Sequence, residues 1–103
     1  MRVFISQPMK GKSDSDILAE RGEIENFIIQ NYGAVEFVDS FFEDYEPERE
    51  EGSLNVPLSY LGKSISLLAT ARLAVFAKGW EDARGCKIEH DCAVAYGLGI
   101  QYL

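Results

Sequence analysis

The chain has 103 residues, 47% of them hydrophobic and 26% charged, which is one domain's worth with a single core. Ten Lys and Arg against 17 Asp and Glu give a net charge of -7. That balance argues against a sequence-independent nucleic-acid binder, which needs a basic footprint, but leaves room for a small anionic ligand held by local backbone N–H groups. No apolar run approaches the ~20 residues that span a bilayer. The opening residues turn polar too soon for a secretory signal, so a cytoplasmic protein is expected.

The run Arg2-Val-Phe-Ile-Ser6 is β-branched and aromatic, a buried strand by composition. It stops at Gln7-Pro8-Met9-Lys10-Gly11, a loop with both Pro and Gly. Ser13 reads as a helix N-cap, with Asp14 and Asp16 placing negative charge in the first turn. Ile17, Leu18, Ile24, Phe27 and Ile28 recur at helical spacing, and Gly33 ends the helix at Tyr32. Residues 34–38 alternate as a second strand. Between 43 and 53, six acidic residues crowd around Pro47 and Gly52. This segment reads first as a solvated surface loop and second as a lid.

Asn55 can cap a second helix with Pro57 in its first turn, and Leu58, Leu61, Ile65, Leu68 and Ala69 give it an apolar stripe. Residues 73–77 are apolar throughout, a strand buried on both faces. Residues 78–84 form a loop, and a third helix is expected from Gly85 to Tyr96, followed by a last strand over 100–103. Cys86 and Cys92 fall over a turn and a half apart on that helix, too far to bond each other, and read as reduced thiols. Cys86 and His90 share a helix face, but two donors do not make a zinc site, and no metal is expected. No GxxxxGK[ST] or GxGxxG loop occurs.

The alternation β-α-β-α-β-α-β predicts an α/β fold with a parallel sheet and helices on both faces. Right-handed crossovers give strand order 2-1-3-4. Val3, Phe4, Ile5, Phe37, Ala74, Val75 and Phe76 are the expected core. A ligand crevice belongs beyond the carboxyl ends of strands 1 and 3, where the order reverses. Two loops must line it, residues 7–13 and 78–86, each running into a helix N-terminus. Lys10, Lys12, Arg84 and Lys87 concentrate positive charge there. Glu89 lies one turn into the third helix. On spacing alone it reads as a solvent-facing glutamate. The alternative is a carboxylate aimed into the crevice, able to attack a sugar anomeric carbon. Trp80 reads equally as a rim aromatic or a base platform.

Ile5-Ser-Gln-Pro-Met-Lys-Gly11, Phe76-Ala-Lys-Gly-Trp80 and Gly85-Cys-Lys-Ile-Glu-His-Asp-Cys-Ala93 together resemble the small, phage-type proteins of the nucleoside 2-deoxyribosyltransferase family. The resemblance spans nearly the whole chain and is most specific at Gly85, Glu89 and Ala93. It implies a flavodoxin-like fold and cleavage or exchange of an N-glycosidic bond on a (deoxy)nucleoside or its monophosphate, without a cofactor. Glu89 would be the nucleophile and Asp82 the group protonating or orienting the base. Ser6, Gln7, Pro8, Met9, Lys10 and Gly11 would line the substrate from the first loop, with Lys10 near a 5′-phosphate. Trp80, Arg84, Gly85 and Cys86 would do so from the second. The resemblance further implies a homodimer or higher homo-oligomer. Ser64 and Ala83 stand where the family places an aspartate and a second aspartate or serine. A binding protein for a nucleotide or an ADP-ribose-like ligand is the other function expected.

Overall fold

The computed structural model describes residues 1–40 and 55–103. The acidic segment 43–53, read above as a surface loop or lid, lies outside the described residues. Strands β1 (Arg2–Ser6), β2 (Glu36–Phe37), β3 (Leu73–Phe76) and β4 (Gly99–Tyr102) form one parallel sheet in the order β2-β1-β3-β4. Helices α1 (Asp14–Tyr32), α2 (Val56–Leu68) and α3 (Arg84–Ala95) connect them. The α/β fold and the 2-1-3-4 order are those expected, and they are consistent with a flavodoxin-like arrangement. β2 is shorter than the expected 34–38. Its ladder runs from Glu36 N–H donating to the Met1 carbonyl to Val38 N–H donating to the Val3 carbonyl. A short 3-10 helix, Trp80–Asp82, interrupts what reads as plain loop in the sequence.

Side chains alternate across the central strands, and this sorts the core into two layers. Val3, Ile5, Leu73, Val75 and Ala77 meet Ile24 and Ile28 of α1. Phe4, Ala74 and Phe76 meet Leu68 of α2 and Ala93 of α3 on the opposite face. Phe37, expected in the core, is half-buried against the first layer, because β2 is a two-residue edge strand.

The helices rotate slightly from the faces expected of them. On α1 the buried positions are Ile17, Arg21, Ile24 and Ile28, so Leu18 and Phe27 are exposed at 45% and 40%. Arg21 takes a place in the buried stripe because its guanidinium finds acceptors there. It donates to the Val38 carbonyl and the Ser40 hydroxyl, each at 2.9 Å, and pairs with Glu25. On α2 only Leu68 is buried, and Leu58 points to solvent. Ser13 caps α1 by accepting from Asp16 N–H, and Asn55 caps α2 by accepting from Leu58 N–H. α3 begins after Ala83 with no side-chain cap.

Among the described residues, no helix is long and apolar enough to cross a membrane.

Candidate active site

Alternation along β1 also decides where its last residue points. Ser6 has the same parity as Phe4, so its side chain faces α2 and α3. There it meets Glu89, which α3 carries inward. The Ser6 hydroxyl donates to Glu89 Oε1 at 2.6 Å. Glu89 is only 7% exposed, which overturns the solvent-facing reading that spacing alone favoured. The reason is helical phase: Cys86, Glu89 and Ala93 form the buried stripe of α3, and Glu89 lies where that stripe runs past the end of the sheet. Burial pushes its carboxyl above the usual carboxylate range, while the side chains of Ser6 and Ser64 pull it back.

The carboxylate lies on the wall of a cavity of about 1210 Å³ at the carboxyl ends of β1 and β3. Ser6, Gln7, Pro8, Met9 and Lys10 line it from the first loop. Asp82, Arg84, Gly85 and Cys86 line it from the second. These sequence-derived positions converge on one space. Gly79, in the left-handed region at φ +87°, lets the second loop turn back against Pro8, 3.7 Å from where a Cβ would sit.

Trp80 and Gly11 do not line the cavity. The Trp80 indole stacks on His90 at 4.2 Å between centroids and packs against Phe76 and Tyr102. His90 Nε2 in turn lies 2.6 Å from the Tyr102 hydroxyl. Apolar and stacking partners along β3, α3 and β4 therefore hold Trp80 on the far side of the loop. Gly11, at φ +80°, serves the turn into α1. Of the four cations expected at the crevice, Lys10 and Arg84 border it. Lys12 is tied to Glu20 at 3.2 Å, and Lys87 lies outside.

The second helix supplies a wall of which the sequence reading singled out Ser64 alone. Pro57, Tyr60, Leu61 and Ser64 line the cavity from α2, and Ser40 lines it from the segment after β2. One turn apart on a helix, Pro57, Leu61 and Ser64 share a face, and that spacing was the signal available. Reading the apolar stripe as core hid it.

The uncapped start of α3 borders the cavity with Ala83, Arg84, Gly85 and Cys86, leaving backbone N–H groups for an anionic group. The start of α1 is capped by Ser13 and offers the carboxylate of Asp14 to the same cavity, so the two helix starts are not equivalent. Cys86 and Cys92 are free thiols. Among the described residues, no group of three or more His, Cys, Asp or Glu is arranged to hold a metal ion.

Among protein-family models, curated proteins and solved structures, none matches the chain.

Proposed function

We propose that the chain cleaves or exchanges the N-glycosidic bond of a (deoxy)nucleoside or its monophosphate, with Glu89 as the nucleophile. The observation that carries this reading is a buried carboxylate on the cavity wall, held at one oxygen by Ser6 at 2.6 Å. Pinning Oε1 orients the second oxygen, and orientation is much of what a nucleophile needs. Glu89 attacks the anomeric carbon, the carbon–nitrogen bond breaks, and its electron pair leaves with the base. Asp82, on the same cavity, delivers or relays a proton to the departing nitrogen. Water, or a second base in exchange, then takes the sugar from Glu89 and regenerates the carboxylate. Lys10, Arg84 and the free N–H groups of α3 suit a 5′-phosphate. In this reading the chain acts as a homodimer or larger homo-oligomer, as the family resemblance implies.

A second reading, a protein that binds a nucleotide or ADP-ribose-like ligand without turnover, draws on Ser64. Its neutral hydroxyl faces Glu89 where the resembled family has an acid, so Glu89 would serve as acceptor for a sugar hydroxyl.

Incubation with a panel of nucleosides and monophosphates, read by chromatography of free base, separates the two. Base release that falls by several orders of magnitude in Glu89→Gln, with ligand binding kept, is the expected result. Ligand-induced thermal stabilisation without any base release would reject the enzyme in favour of the binder. Full activity in Glu89→Gln would remove the covalent role.

A further inference from the structure

One carboxylate of α1 gathers both ends of the first cavity loop. Glu20 Oε1 accepts from the Gln7 amide at 2.9 Å and from Lys12 Nζ at 3.2 Å, and Glu20 Oε2 accepts from Lys12 Nζ at 3.2 Å. The Gln7 amide nitrogen also donates to the Ile17 carbonyl at 2.8 Å, so both its protons go to α1. Gln7 is 5% exposed, whereas Lys12 and Glu20 are half-buried. Between the two tied residues the chain makes a tight turn. Lys12 N–H donates to the Met9 carbonyl at 3.2 Å, and Gly11 takes φ +80°. Lys10 sits in the middle of that turn. Pro8, Met9 and Lys10 line the cavity, while Lys12 and Glu20 do not. We propose that Glu20 is a positioning residue: by holding Gln7 and Lys12 on α1 it fixes the turn between them, and so sets Lys10 against the anionic group of a ligand.

Holding the turn matters because a lysine side chain is long and rotamer-rich. A cation on a loose turn must order both backbone and side chain when it meets an anion; on a turn tied at both ends only the side chain is left to order. The two lysines of the loop then divide their roles, Lys12 fastening it and Lys10 facing the cavity. Charge alone predicts the opposite effect for Glu20. If it acted only as an anion, its removal would strengthen anion binding, through lost repulsion and a released Lys12. A positioning role predicts weaker binding, so the sign of the change separates the two.

The inference rests on the reading of Lys10 as a phosphate contact, and its test measures binding, not turnover. Affinities for the common ribo- and deoxyribonucleoside monophosphates and their parent nucleosides are measured by calorimetry. The proteins are the wild type, Glu20→Ala, Glu20→Gln, Lys10→Ala and Glu20→Ala/Lys10→Ala. Ala and Gln both suit a helix, so α1 is kept. Glu20→Ala is expected to weaken monophosphate binding about two- to fivefold, the scale of a part-exposed ion pair, and to leave nucleoside binding nearly unchanged. Glu20→Gln, whose amide oxygen can still accept from Gln7 and Lys12, should bind close to the wild type. In the Lys10→Ala background Glu20→Ala should cost little more, because the turn then has no cation to position. Unchanged or stronger monophosphate binding in Glu20→Ala would overturn the proposal. So would the same loss in both Lys10 backgrounds, or equal losses for nucleoside and monophosphate. A wild type that binds no monophosphate would overturn it together with the phosphate contact of Lys10. A wild type that binds monophosphates but releases no base would sink the enzymatic reading alone, and the Glu20 comparison would still decide the positioning role.

Discussion

Glu89 carries a cost that its neighbours only partly offset. Burial disfavours its charged form, and the Ser6 and Ser64 side chains favour it. With the folded-state midpoint raised above the unfolded one, the native state binds the proton more readily than the unfolded chain. The contribution of this group to stability is therefore fully present below the ordinary glutamate value and lost as pH rises through the raised one. Glu89→Gln removes that dependence while keeping an acceptor for Ser6. At pH 7 the variant is expected to melt at or above the wild-type temperature, and the difference should shrink as pH falls below the ordinary glutamate value. A variant clearly less stable at pH 7 would mean that the ionised carboxylate stabilises the fold. A functional group held at the expense of stability is the common pattern at active sites.

At the scale of elements, β3 is the keystone, since it pairs with both β1 and β4 and is buried on both faces. Val75 is fully buried, facing α1. Val75→Asp would place an unpaired charge there, a loss of more than about 4 kcal/mol, enough to unfold a domain of this size. A soluble, cooperatively melting Val75→Asp protein would contradict the placement. The helix starts differ in a testable way. Ser13→Ala removes the acceptor for Asp16 N–H and should cost about 1 kcal/mol in denaturant unfolding. Ala83→Ser, which introduces a cap at α3, should stabilise by a similar amount and compete with anionic ligands for the same N–H groups. Unchanged phosphate affinity in Ala83→Ser would detach the anion site from that helix start.

For the whole molecule, the net charge of -7 repels anions at long range, so any anionic ligand depends on local cations. Lys10 is exposed and borders the cavity. Lys10→Ala should weaken monophosphate binding about three- to tenfold and leave nucleoside binding nearly unchanged, measured by calorimetry. Equal losses for both ligands would show that Lys10 does not meet the phosphate.

The alternation of strand and helix, the β-branched run of β1, the apolar run of β3 and the caps Ser13 and Asn55 were legible in the sequence, because each is a local preference. The strand order followed from crossover handedness, and with it the convergence of the two loops on one crevice. Composition and spacing could not decide the fate of Glu89, since a polar residue one turn into a helix looks the same whether it faces water or a cavity. Its burial depends on the phase of α3 against the sheet and on the parity that turns Ser6 toward it. Arg21 in the core, the α2 wall with Ser64, and Trp80 drawn into the stack with His90 and Tyr102 likewise depend on partners distant in the chain. Those partners exist only once the sheet has brought its carboxyl ends together.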